Sequence, residues 1–105
     1  MTDGDEGFAL AEEAVARRRE LVADNRAAEL PGLALSLSHL ADRQAAAGRH
    51  EEAVITGDEA VRLIRETPVS IRSRYAFLLR RQAGRLPRSR RGARRARELL
   101  GAADC

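Results

Sequence analysis

Leu37-Ser38-His39-Leu40-Ala41-Asp42-Arg43-Gln44-Ala45-Ala46-Ala47-Gly48-Arg49-His50-Glu51-Glu52-Ala53-Val54-Ile55-Thr56-Gly57-Asp58-Glu59-Ala60-Val61 is the stretch whose reading decides the fold. Leu37, Leu40, Ala41 and Gln44 fall on one face of a helix. Gly48 is placed to end that helix, because glycine takes the left-handed conformation of a C-terminal cap without steric cost. Neither Arg49 nor His50 is a good N-cap, but Glu51 and Glu52 put negative charge in the first turn of a new helix. Ala53, Val54, Gly57, Ala60, Val61 and Ile64 then recur at i, i+1, i+4, i+7, i+8 and i+11. The phrase Glu59-Ala60-Val61 has already occurred as Glu13-Ala14-Val15, 46 positions earlier and again late in a helical stretch. Helix, short turn, helix, repeated, marks a helical repeat.

The flanks extend the same pattern. Residues 1–6 read as a disordered, acidic lead-in. Gly7 to Ala23 reads as a first helix with Phe8, Ala11, Ala14, Val15, Leu21 and Val22 on its apolar face. Arg17, Arg18 and Arg19 stand near its C-terminus, where positive charge favours the helix dipole. Asp24 to Glu29 reads as a connection, and Pro31 suits the first turn of the second helix. Leu30 and Leu33 begin that helix's apolar face. Thr67-Pro68 ends the third helix. A fourth is predicted over Ser70 to Ala83, with Ile71, Tyr75, Leu78 and Leu79 inward. Gly84-Arg85 echoes Gly48-Arg49, and Pro87 can open a fifth, marginal helix carried by Ala93, Ala96, Leu99 and Leu100. Residues 102–105 form a short tail.

Composition agrees with helices. The chain has 105 residues and only Phe8, Tyr75 and Phe77 as aromatics. Its core must come from Ala, Leu and Val, and no alternating run long enough for a strand occurs. Residues 1–68 hold 14 acidic and 8 basic residues; residues 69–105 hold 2 acidic and 11 basic ones, all Arg. The net charge of +3 therefore hides a basic C-terminal third. A single cysteine, Cys105, allows no internal disulfide and fits a reducing compartment. The acidic N-terminus lacks the apolar run of a secretory signal, and no segment is long enough to span a membrane. A cytoplasmic protein is the expectation.

From Ala34 to Thr67 the chain resembles the tetratricopeptide repeat family. The resemblance rests on Leu37, Leu40 and Ala41 in the first helix, Gly48 at the turn, and Ala53 and Ala60 in the second helix. Small residues are needed where two helices cross closely. Asn25-Arg26-Ala27-Ala28-Glu29-Leu30-Pro31-Gly32-Leu33-Ala34, followed by Ser36-Leu37-Ser38-His39-Leu40, is similar to the long-period arrays of actinomycete bacteria, of the kinesin light chain type. The chain departs from the family's pattern at Gln44, where an aromatic is usual, and at Gly57, where a bulky residue is usual. Its terminal proline comes at Pro68 instead of Arg65. The resemblance implies an all-α protein of about five antiparallel helices, stacked as a short solenoid. In it, residues 7–23 would be the second helix of a partial repeat, 30–67 a full repeat and 70–101 a degenerate basic one.

The resemblance implies a scaffold that binds a protein or peptide partner on the concave face. Carried over by position, that face presents Ser38, His39 and Asp42 from the full repeat and Arg74, Tyr75 and Arg81 from the last. Exposed polar side chains are the default on a helix surface, and Tyr75 also lies on the apolar stripe. The family's carboxylate-gripping subtype is not expected, because the chain has no Lys and Asp42 would repel an anion. Seven Arg from Arg85 to Arg97 could attract nucleic acid without sequence preference, but aromatics for base stacking are missing there. A solvated face, or contact with a second copy, accounts for the charge run as well. A third reading, after the nucleic-acid module, is a remnant of a larger multidomain signalling protein. No catalytic constellation, metal-ligand spacing or cofactor loop is present: His39 and His50 sit in different segments, and His50-Glu51-Glu52 lacks a second His.

Ala53→Arg is expected to abolish the folded state, read by circular dichroism; full helicity with cooperative melting would contradict the close hairpin.

Overall fold

The computed structural model describes residues 3–103, with side chains from Gly7 onward. It is all-α, with no strand among the described residues. Six helices follow one another: α1 Asp3–Asp24, α2 Arg26–Ala46, α3 His50–Arg65, α4 Val69–Arg74, α5 Ala76–Arg85 and α6 Arg90–Ala103. The acidic lead-in is thus in part the first turn of α1, and Met1 and Thr2 lie outside the described residues. Ala102 and Ala103 belong to α6, while residues 104 and 105 are likewise outside. None of the described helices is long and apolar enough to cross a membrane.

The connection expected over Asp24–Glu29 shrinks to Asn25. Its side chain accepts from the Ala28 N–H at 3.5 Å, a helix N-cap that starts α2 a turn earlier. Pro31 is therefore inside α2 and not in its first turn. It deprives the Ala27 carbonyl of an intrahelical donor, and exposed Ala27 leaves that oxygen to water. α1 runs past the Arg17-Arg18-Arg19 cluster, so no basic residue stands in its last turn. The cluster instead ties helices together. Arg19 forks onto Glu59 at 2.8 and 2.9 Å, and Arg18 meets Glu29 at 3.5 Å.

The apolar face of α2 is buried as its spacing predicts, with Leu33, Ala34, Leu37 and Ala41 all at 3% exposure or less. Ala53, Ala60, Val61 and Ile64 of α3 are equally buried. The three alanines on which close nesting depends thus face inward. Gly48 takes φ +82° and carries the turn between α2 and α3. On α1, Val15 is buried but Ala14 and Leu21 are exposed.

One predicted helix becomes two. The span Ser70–Ala83 breaks at Tyr75 (φ −107°, ψ 14°), giving α4 and α5. The Ser73 hydroxyl donates back to the Val69 carbonyl at 3.0 Å, a contact that bends helices. After the break α5 carries Leu78, Leu79 and Gln82 into the interior. Gly84-Arg85 is no turn: both residues belong to α5, and among the described residues only Gly48 has positive φ. α6 is closed at its start by Ser89, whose hydroxyl accepts from the Gly92 N–H at 3.1 Å. It is anchored by Leu99, which has no exposed surface.

Consecutive helices pack as neighbours, α1 on α2, α2 on α3 and α5 on α6; α5 also packs on α3 and α2. The result is a slab of 41 × 37 × 16 Å with a Cα radius of gyration of 13.8 Å, against about 13 Å for a typical domain of this length. So thin a body has little interior, and most polar side chains lie on or near a surface.

Hydrogen bonding by Arg19 holds the Glu59 carboxyl below the usual carboxylate range, opposed by partial burial. The folded state therefore favours the charged form. Its stabilising contribution is complete above the ordinary carboxylate range and is lost as pH falls through the lowered folded value. Partial exposure limits the pair to about 0.5–1 kcal/mol. Glu59→Gln should lower the melting temperature at neutral pH by a few degrees and flatten its decline in acid; an unchanged acid limb would contradict this.

Candidate functional site

The slab has a polar seam where α5 meets α2 and α3. Arg85, its side chain only 7% exposed, turns inward from the last residue of α5. Its Nη2 donates to the Ser38 carbonyl at 2.9 Å, the Ser38 hydroxyl at 2.8 Å and Asp42 Oδ1 at 2.7 Å. Its Nη1 donates to Gln82 Oε1 at 3.1 Å. Gln82 is fully buried, and its Nε2 donates to the Val54 carbonyl at 2.8 Å and Asp58 Oδ1 at 3.0 Å. Arg81 reaches the other oxygen of Asp42 at 3.3 Å. Three helices are thus cross-linked by one guanidinium and one amide, with Arg85 Nε left without a partner.

Gly57 makes room for this seam. A Cβ built on it would lie 1.8 Å from Gln82 Oε1 and 2.8 Å from Arg85 Nη1. The glycine that departs from the repeat pattern is therefore the seat on which α5 rests.

The predicted surface residues separate. Ser38 is not at the surface: it has no exposed area and is spent on Arg85, so it offers a partner nothing to touch. Asp42 is exposed but its two oxygens hold Arg85 and Arg81. Arg81 also lies 5.8 Å from the Phe77 ring centre. Tyr75 is half-buried against the core and stacks on Phe77 at 6.1 Å, a packing role. Arg74 is exposed at the end of α4, next to Tyr75 in the chain. His39 is exposed and faces an open groove. Sequence reasoning missed Gln82 and Arg85, which carry no periodic signature, and registered Gly57 only as a departure from the repeat pattern.

The groove holding His39 lies between α1 and α2, with a volume of about 530 Å³. One wall is Gly7, Leu10, Ala11 and Ala14; the other includes Ser36, His39, Asp42 and Arg43. The 46-residue correspondence places Gly7, Ala11 and Ala14 on the positions of Ala53, Gly57 and Ala60. On α3 those small residues are covered, between α2 and α5. On α1 the same trio borders open space. A second groove of about 520 Å³ lies at the start of α3, lined by His50, Glu51, Val54, Ile55, Arg85 and Pro87. Comparison with protein-family models, curated proteins and solved structures finds no match.

Gly57→Ala would gain about 1 kcal/mol of helix propensity. It would also push Gln82 off its seat, and each buried polar group so stranded costs about 1–3 kcal/mol. The loss is larger, so the melting temperature should fall; a rise would mean that Gln82 is not seated as described.

Proposed function

We propose that this chain is a protein-interaction module of the tetratricopeptide type, and that its α1–α2 groove receives an α-helix of a protein partner. The observation that carries the reading is the trio Gly7, Ala11 and Ala14 along the open groove, Ala14 exposed and Gly7 and Ala11 half-buried. Where the chain repeats that pattern, at Ala53, Gly57 and Ala60, small side chains let neighbouring helices approach closely. The same chemistry on α1 is left without its full set of neighbours. The order of helix neighbours, α2 on α3 and α5 on both, is the order a stack of hairpins would have, and in such a stack a helix would lie beside α1 and α2.

The walls suit an amphipathic helix. Leu10, Ala11 and Ala14 offer an apolar side to i, i+3, i+4 and i+7 anchors, the mode in which grooves take helices. His39 and Arg43 edge the other side with groups able to bond the polar flank of such a helix. Asp42, already holding two guanidinium groups, serves the scaffold and not the ligand. His39 is thus the one member of the predicted set of six that remains a direct contact.

A synthetic peptide with the sequence of α2 is a suitable probe, since α2 is the helix beside the equivalent small residues of α3. Added to the 15N-labelled chain, it should shift the amide resonances of Gly7, Ala14, His39 and Ala46. Ala14→Arg, at an exposed position, should lose those shifts and keep its melting temperature. Shifts confined to α3 and α5, or unaffected by Ala14→Arg, would contradict the groove.

A further inference from the structure

α6 carries its charge at the wrong end. The stretch Arg88 to Arg97 holds six arginines in ten residues and no carboxylate. Elsewhere arginines are mixed with acid: residues 1–68 carry 14 acidic and 8 basic residues. α2 and α3 also obey their dipoles. Each has carboxylates in its first turn, Glu29 on α2 and Glu51 and Glu52 on α3, and arginines in its last. α6 does the reverse. Its first turn lacks a carboxylate and opens on Arg90 and Arg91, and its last turn lacks a basic residue. Positive charge at a helix start opposes the dipole. These arginines therefore do not serve the helix that carries them.

Nor do they serve the core. Leu99 fixes the inner side of α6, which packs on α5. Arg90, Arg94 and Arg97 recur at i, i+4 and i+7 on the opposite side, and all three are exposed. At the helical rise the row is about 10 Å long. Exposed Arg91 flanks it, and exposed Arg88 precedes it in the loop. Glu98 is the one carboxylate of α6, and Arg95 takes it at 3.6 Å while also meeting Asp58 of α3 at 3.9 Å.

We propose that this outer side of α6 binds the phosphates of duplex DNA. The duplex carries one negative charge for about every 1.7 Å of its axis, so a row of this length has several phosphates within reach. Guanidinium forks match phosphate oxygens in bidentate pairs. The major groove of B-form DNA admits a helix, whereas that of A-form RNA is too deep and narrow, which favours DNA. A duplex keeps its bases stacked, so the lack of aromatic side chains on α6, which counts against single strands, is no obstacle. Phosphate contacts carry no sequence information, so no sequence preference is expected. A lipid surface suits α6 less. Apart from Leu100, its large apolar side chains are buried on α5 and have nothing to insert. The inference does not rest on the groove reading, because none of these arginines lines that groove.

Fluorescence anisotropy of a labelled DNA duplex titrated with the full chain tests it. Contacts from Arg88, Arg90, Arg91, Arg94 and Arg97 predict a log–log salt slope of about −4 to −5, a loss of about 500-fold between about 50 and 200 mM salt. Arg90→Ala with Arg94→Ala and Arg97→Ala should flatten the slope by about 3 and weaken binding at about 50 mM salt by at least about tenfold. Alanine favours the helix, so this variant should keep its helicity. If it does not, Arg94→Ala alone should flatten the slope by about 1. Arg17→Ala with Arg62→Ala and Arg65→Ala removes the same charge from α1 and α3 and should keep the wild-type slope. Absence of binding at about 50 mM salt would overturn the proposal. So would equal losses in the two triple variants, since net charge alone would then explain the attraction. Tighter binding of an RNA duplex, or binding to vesicles of anionic lipid by a chain that ignores the DNA duplex, would overturn it in favour of that other surface.

Discussion

The seating of Gln82 on Gly57 is the contact on which the rest of the structure depends. α5 can approach α3 only because Gly57 has no side chain. Once there, Gln82 bonds a backbone carbonyl and Asp58 on α3, and Arg85 carries the connection to Ser38 and Asp42 on α2. A chain with a slab only 16 Å thick has few interior positions with which to fix the angle of a docking helix. It does so with one amide and one guanidinium in place of further apolar bulk. That choice has a cost: a buried polar group left unpaired is expensive, so the seam tolerates replacement of any one member poorly.

The seam also explains what the exposed side chains are free to do. Ser38 is spent inside, Tyr75 is spent on packing, and exposed Asp42 is spent on Arg81 and Arg85, which leaves His39 as the predicted contact of α2 that lines the groove without a partner among the described residues. The small trio on α1 borders the same space. Where α3 has neighbours on both sides, α1 packs against α2.

Much of the fold could be read from the residues. The apolar faces of α2 and α3, the Gly48 turn and the inward Ala41, Ala53 and Ala60 all follow from spacing, because a helix pattern buried on one side leaves a strong local trace. The failures are equally local. Asn25 was legible as a cap only if the connection was known to be one residue long. The break at Tyr75 leaves the i, i+4, i+7 stripe almost unchanged, so periodicity cannot register it. Gln82 and Arg85 are ordinary surface types in sequence, and only the tertiary approach of α5 takes them inside. Gly57 and Ser38 are the instructive pair. A residue that departs from the repeat pattern is the seat, and one that looked like a contact is its support. Positions where local rules fail are often those where the tertiary structure makes a particular demand.

A double-mutant cycle between Gly57→Ala and Gln82→Ala, measured by denaturant unfolding, tests the seat most directly. With Gln82 shortened, the methyl group at 57 loses its closest clash and meets only the flexible end of Arg85, at 2.8 Å, so the double variant should be more stable than the sum of the single losses by about 1–3 kcal/mol. Additive losses would mean that the two residues do not meet, and that α5 is held against α3 in some other way.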